Sequence, residues 1–248
     1  MNVSILVTAF KRSHLFEKSL PQILDQLTPD DEIVYVNDGP EDGAEKMLEY
    51  SFVKDPKAPT PTAVHLNYQY INTGNTAYHN CVRAKNIGLK ACRNELIIIR
   101  DPEVMEITQN INFAKEYFSN PENQRHYICV ADMTFELAPQ DKTLERTTSK
   151  LDSYAPFVAA VMKKELMAVN GWDERFIKYW GNDDNNLAGR LTKNGVRHLK
   201  MMELQAYHQY HDRPPKEAMG DCNNSLLEKA NFDNDIVANQ DNPHWGEL

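Results

Sequence analysis

The chain has 248 residues, 41% of them hydrophobic, with 36 acidic against 27 basic side chains and a formal net charge of −9. That length suits one large α/β domain with a sizeable core, and the acidic balance without any Lys/Arg run excludes a protein whose affinity comes from neutralising nucleic-acid phosphates. The four cysteines, Cys81, Cys92, Cys129 and Cys222, show no CxxC spacing, which disfavours a zinc ribbon or a disulfide framework and points to packed thiols in a reducing, cytoplasmic setting.

Taken in chain order, the first half alternates strand and helix signals. A strand is expected over residues 2–8, directly after Met1 and with no basic leader region before it. A helix opens near Ser13 with Leu15, Leu20, Ile23, Leu24 and Leu27 on one face, followed by a strand over residues 32–36 and a helix over 41–50. The Pro-rich stretch 55–61 is a loop, and Ala63-Val64-His65-Leu66 is a short third strand. A helix over residues 76–92 leads into a strand that begins at Glu95. Repeated units of this length give a parallel sheet with helices on both faces. The second half is less regular. It offers a helix over 107–118, a strand over 126–131, a polar loop over 139–153, a strand over 157–162, a turn at Gly171-Trp172-Asp173-Glu174 and a helix over 183–193. From Arg213 onward the chain is rich in Pro, Asn and Asp and reads as an arm packed over the body or partly mobile. No apolar run reaches membrane-spanning length, so a soluble chain is expected, one still able to act on a membrane-bound acceptor.

The most informative stretch is Glu95-Leu96-Ile97-Ile98-Ile99-Arg100-Asp101-Pro102-Glu103, an apolar run that ends in two carboxylates one residue apart. Such a run is a fully buried strand of a parallel sheet, and ligands of these sheets sit beyond the carboxyl ends of the strands. Two neighbouring carboxylates repel unless a cation or a shared proton relieves them, and hard oxygen ligands suit Mg²⁺ or Mn²⁺. Simple solvation of a strand end accounts for an acidic pair equally well.

Several separate segments then agree with one pattern. Ile5-Leu6-Val7-Thr8-Ala9-Phe10-Lys11-Arg12, Val34-Tyr35-Val36-Asn37-Asp38-Gly39, Arg83-Ala84-Lys85-Asn86-Ile87-Gly88, Asp101-Pro102-Glu103, and Gly171-Trp172-Asp173-Glu174 followed by Trp180-Gly181-Asn182-Asp183-Asp184-Asn185-Asn186-Leu187 together resemble the family-2-like glycosyltransferases of the GT-A fold. The resemblance covers residues 2–212. It implies a doubly wound, mostly parallel central sheet flanked by helices, with a smaller acceptor-side sheet region. The corresponding division is a nucleotide-binding half over 1–104, an acceptor-binding half over 105–212 and a polar tail over 213–248.

The resemblance also implies roles. Thr8, Ala9, Phe10, Arg12, Asp38, Arg83, Lys85 and Asp101 would bind the nucleotide, with Asp38 accepting the imide N–H of uracil. An Asp at that turn also serves as a helix cap or in an Asx turn, and cations on a helix are commonly a solvated face. Asp101, Glu103 and His208 would hold the metal. Glu103 is one methylene longer than the family's Asp and still ligates a hard cation, while a mixed carboxylate and imidazole set favours Mn²⁺ over Mg²⁺. His211 competes with His208 for that role. Asp184 would be the general base and Asp183 would orient it or the acceptor, although acids at a helix start are also favoured by the helix dipole. Trp180 and Gly181 would meet the acceptor, Trp180 through its flat face. Asn186 stands where the family has an acid.

The expected activity is inverting transfer from a nucleotide-diphospho-sugar, a UDP-sugar in the first instance, to a carbohydrate or glycolipid acceptor, as in polysaccharide assembly. A sugar-binding module without turnover is the alternative. A nucleotidyltransferase ranks third, for want of a Gly-rich basic loop after the first strand, and the GxGxxG of a dinucleotide oxidoreductase is absent. Self-association stays open.

Overall fold

The computed structural model describes residues 1–53, 67–75, 81–137, 144–148, 158–177, 181–212 and 223–248. Strand β1 (Val3–Ala9) pairs in parallel with β2 (Glu32–Asn37) and with β4 (Leu96–Arg100), and β3 (Asn67–Asn72) pairs in parallel with β2. Beyond β4 the sheet continues through β8 (Val158–Met162), β6 (His126–Glu136), β9 (Arg197–His208) and β5 (Val104–Glu106), with β7 (Leu144–Thr148) branching from β6. Here β8 runs antiparallel to both β4 and β6, whereas β6 and β9 are parallel. The architecture is a doubly wound parallel half joined to a mixed, smaller sheet region.

Alternating side chains explain why helices cover both faces. Ile5, Val7, Ile33, Tyr35, Leu96 and Ile98 join one core with Phe16, Leu20 and Ile23 of α1 (Ser13–Leu24), Leu48 of α2 (Ala44–Val53) and Ile111 and Phe118 of α4 (Asn110–Ser119). The intervening Leu6, Val34, Val36, Ile97 and Ile99 join a second core with Val82 and Leu89 of α3 (Cys81–Ala91), Leu166 of α5 (Lys163–Ala168) and Leu187 and Leu191 of α6 (Asp183–Lys193). Helix α3 approaches the sheet closely at Gly88, where a Cβ would lie 2.2 Å from Leu6 Cδ1 and 2.9 Å from Val36 Cγ2. The tail contributes α7 (Asn224–Phe232), and Trp245, 7% exposed, belongs to the second core.

Several expectations shift. The described third strand is Asn67–Asn72, and residues 63–66 lie outside the described residues. Its Asn and Gln residues hide it from a search for apolar runs, yet Tyr70 stacks on Tyr35 with ring centroids 6.2 Å apart. The polar segment 139–153, expected as a loop, contains β7, paired with Asp132–Glu136. Backbone pairing in a side branch leaves no apolar signature. Strand β6 runs five residues beyond its expected end at 131. Strands β5 and β9 were not expected: β9 is twelve residues long and carries Lys, Glu, Gln and His among its apolar positions. Helix α2 starts at Ala44 and not at 41, because Gly43 adopts φ +85° immediately before it. Helix α4 starts at Asn110 and not at 107, while α6 spans 183–193 as expected. Cys81, Cys92 and Cys129 are free thiols, and Cys222 lies outside the described residues. Among the described residues no helix is long and apolar enough to cross a membrane.

Candidate active site

The parallel strands β1, β2 and β4 end at one edge of the sheet, the edge at which doubly wound folds bind ligands. At the exit of β2, Asn37 Oδ1 accepts the Gly39 N–H at 3.1 Å, an Asx turn that sets Asp38 beside the end of β1. The Asp38 N–H donates to the Ala9 carbonyl at 2.7 Å. Its carboxylate, 2% exposed, accepts from the Thr73 hydroxyl at 2.8 Å and from Asn75 Nδ2 at 3.3 Å. Thr8 and Ala9 are buried at the same exit, and the partly buried Phe10 ring lies 3.0 Å from where a Cβ on Gly39 would be. Lys11 takes φ +57°, which turns the chain so that Arg12 heads α1.

At the exit of β4 the buried Arg100 guanidinium donates to the Val104 carbonyl and to Glu106 Oε1, 2.8 Å away, and so fixes the Asp101-Pro102-Glu103 turn. Antiparallel pairing of Val104 with His208 brings the end of β9 alongside. Glu103 Oε1 accepts from Arg12 Nη1 at 2.5 Å, and His211 Nε2 and His208 Nε2 lie 3.0 and 3.6 Å from it. Glu103 Oε2 is buried with no hydrogen-bond partner among the described residues. His211 Nδ1 lies 2.9 Å from the Asp212 carbonyl and 3.2 Å from Arg12 Nη2, and either neutral tautomer of the ring keeps one nitrogen lone pair of the kind that ligates metals. Ligand atoms of Glu103, His208 and His211 all fall within 4.8 Å of one another. The orphaned carboxylate oxygen and the two imidazoles fit a divalent ion of the Mn²⁺ type.

Asp101 lies beside this cluster without joining it. Burial, then the charge of Glu103, raise its pKa, against the lowering effects of Lys85 and Arg12. For Glu103, burial would raise the pKa but is outweighed by the His211 hydrogen bond and the charge of Arg12, so its carboxyl stays ionised below the usual range. Burial lowers the pKa of His208 and keeps its imidazole neutral, the form that ligates metals.

Across the edge, Lys85 of α3 is 6% exposed, and its Nζ lies 2.9 Å from both Asp183 Oδ2 and Asp184 Oδ1. Burial opposes its charge, yet the two carboxylates raise its pKa well above the ordinary lysine value. Trp172 Nε1 donates to the same Asp184 Oδ1 at 2.9 Å. Asp184 Oδ2 takes no hydrogen bond among the described residues. Burial, then the charge of Asp183, raise the Asp184 pKa against Lys85 and the indole hydrogen bond. Asn86, next to Lys85, ties this acid pair to the turn before it: its Nδ2 donates to the Trp172 carbonyl and Glu174 Oε1, and its Oδ1 accepts the Trp172 N–H.

Residues 145–213 match a family model described as the N-terminal domain of galactosyltransferase. Among solved structures, the mannosyltransferase PcManGT from Pyrobaculum calidifontis, in complex with GDP-Man and Mn²⁺, aligns over 85% of this chain and 57% of its own with 16% identity and a TM-score of 0.60. TarS from S. aureus with UDP-GlcNAc aligns over 86% of this chain and 60% of its own, at 11% identity and TM-score 0.61. GalNAc-T7 with UDP, GalNAc and Mn²⁺ gives 86%, 45%, 12% and 0.61 in the same order. The fold is that of the GT-A glycosyltransferases. The chain spans only about half the length of these GT-A proteins. No curated protein sequence matches it.

On this GT-A frame most of the sequence-derived candidates meet at one edge. Asp101, Glu103, His208 and Arg12 gather there with Lys85, Asp183 and Asp184, and the charges of Lys85, Asp184 and Arg12 all act on Asp101. Arg83 does not join them. It is exposed and donates to the Glu247 carbonyl at 3.0 Å, because residues two apart on a helix point to roughly opposite sides. Lys85 pairs with the acids of α6 instead of standing free for a diphosphate. Gly181 takes φ +97° just before α6, and Trp180 lies outside the described residues. Asn186 accepts from the buried Arg190 Nε at 2.8 Å, which assigns it to holding α6. Sequence reasoning missed Trp172 as a partner of Asp184 and missed Thr73 and Asn75 as partners of Asp38. Long-range pairs of neutral donors carry no spacing signal that would have found them.

Proposed function

We propose that this chain is a metal-dependent glycosyltransferase that moves a sugar from a nucleotide-diphospho-sugar to an acceptor hydroxyl with inversion. The observation that carries the reading is the Asp184 carboxylate: Oδ1 is taken by Lys85 and Trp172, Oδ2 takes no hydrogen bond among the described residues, and the charge of Asp184 acts on Asp101. In the reaction Asp184 Oδ2 takes the acceptor proton as that oxygen attacks the anomeric carbon, and the bond from this carbon to the diphosphate oxygen breaks with its electrons on the leaving group. Asp183 keeps Lys85 beside the base. Asp38, held by Thr73 and Asn75, accepts the imide N–H of uracil, with Thr8, Ala9 and Phe10 lining the nucleoside and Arg12 near the phosphates.

Glu103, His208 and His211, with Asp101 adjacent, would hold the divalent ion, which when bound supplies positive charge for the departing diphosphate. Mn²⁺ suits this donor set better than Mg²⁺. A UDP-sugar is the favoured donor, although the similar structures include complexes with GDP-Man as well as UDP-GlcNAc. Trp180 and Gly181 meet the acceptor, a carbohydrate or glycolipid hydroxyl of the kind used in polysaccharide assembly.

The test is release of nucleoside diphosphate from UDP-sugars and GDP-mannose with Mn²⁺. Asp184→Asn is expected to lose turnover and keep donor binding, and proton NMR of the first-formed product is expected to show an inverted anomeric centre. No release from any donor, by a folded protein that binds no nucleotide, overturns the reading. A product with the donor's own configuration overturns inversion alone.

A further inference from the structure

We infer that Trp172 is the positioning residue of Asp184: its indole N–H holds Oδ1 in place, so that Oδ2 is the oxygen presented for proton transfer. This rests on the reading of Asp184 as the base. Lys85 alone cannot set the orientation, because its ammonium stands at 2.9 Å from both Asp183 and Asp184 and carries three rotatable donors. The indole is a single directional donor on a ring with no freedom to follow a rotating carboxylate. Trp172 is 0% exposed and its ring belongs to the second core. Its backbone N–H donates to Asn86 Oδ1 at 2.8 Å, and its backbone carbonyl accepts from Asn86 Nδ2 and Asn239 Nδ2, each at 2.8 Å.

The C-terminal segment closes the frame. Asn239 also donates to the Asn170 carbonyl and accepts the Glu174 N–H at 2.9 Å, while Gly246 N–H binds Glu174 Oε1. A chain of bonds therefore runs from the last residues through the Gly171–Glu174 turn to the base. The groups facing Asp184 are Lys85 and Cys81 from α3, its own neighbour Asp183, Asp101 after β4 and Tyr127 of β6. The indole is the neutral donor that favours the ionised carboxylate from the core side.

Trp172→Phe keeps an aromatic ring and removes the donor. The measurement is the titration of the Asp184 carboxyl by ¹³C NMR without nucleotide or metal, its resonance assigned with Asp184→Asn. The expected result is an Asp184 pKa about one unit higher in Trp172→Phe. In UDP release from UDP-glucose with Mn²⁺, the acid limb of kcat is expected to rise by the same amount with KM unchanged. An Asp184 resonance that titrates at the same pH in both proteins overturns the inference. Should the Phe variant lose its near-UV dichroism, benzothienylalanine at position 172, with sulfur in place of N–H, gives the same decision at full ring size. A wild-type protein that releases no UDP counts against glycosyl transfer, and the titration still decides the role of Trp172.

Discussion

Asp184 and Glu103 differ in what surrounds them, and this separates their chemistry. Asp184 carries a raised pKa from burial and from Asp183, so its basic form is lost as pH falls through a value above the ordinary aspartate value of about 3.9. Turnover limited by this base is accordingly expected to rise with pH through an acid limb displaced upward from that value, as kcat against pH will report. Asp184→Asn should lower kcat by about 10²- to 10⁴-fold while calorimetry finds nucleotide affinity unchanged. Glu103 is held ionised by His211 and Arg12, the state a metal ligand requires. Replacing His208 or His211 by Ala is expected to weaken Mn²⁺ binding by about tenfold or more, measured by electron paramagnetic resonance of free Mn²⁺. Asp101 and Glu103 were legible because they end an apolar run, and Asp184 through the resemblance carried by its segment. The choice between His208 and His211 was not, since both rings reach Glu103 only through the pairing of β5 with β9.

Helix α3 shows how one element serves packing and site together. Gly88 meets Leu6 and Val36, Lys85 meets the acids of α6, and Asn86 fastens the Trp172 turn. Gly88→Val should destabilise by about 1–3 kcal/mol or more through overpacking against the sheet. Asn86→Ala leaves the buried N–H of Trp172 without its partner, at a cost of about 1–3 kcal/mol in urea unfolding. Elements with a strong period were legible: β1, β2 and β4 as apolar runs, and α6 from Leu187 and Leu191 behind two acids. Strands β3, β7 and β9 were not, because their stability comes from neighbours and not from composition. Strand β9 passes an irregular register between Val130 and Asp132 of β6 and carries exposed Met202, so its alternation breaks midway.

Across the whole molecule, the site holds more negative charge than its surroundings relieve. The folded pKa of Asp101 lies above its unfolded value, so stability is lost as pH rises between the two. Asp101→Asn is therefore expected to raise Tm at pH 8 in a chelator, and Mn²⁺ to raise the Tm of the wild type. The tail joins the same body, with Trp245 in the second core and stacked under Lys90 Nζ at 4.4 Å; Trp245→Ala should cost about 3–5 kcal/mol. Its polar composition concealed this, since one tryptophan and a few Asn amides do the fastening. The central claim is that the Asp101-to-Asp184 edge binds a nucleotide through a metal. Its most direct test is calorimetric titration of the protein with UDP, GDP, CMP and dTDP, each with and without Mn²⁺. The account predicts that one nucleotide binds with Mn²⁺, that binding collapses without it, and that Asp101→Ala and Glu103→Gln abolish it. Metal-independent binding, or none, would contradict it.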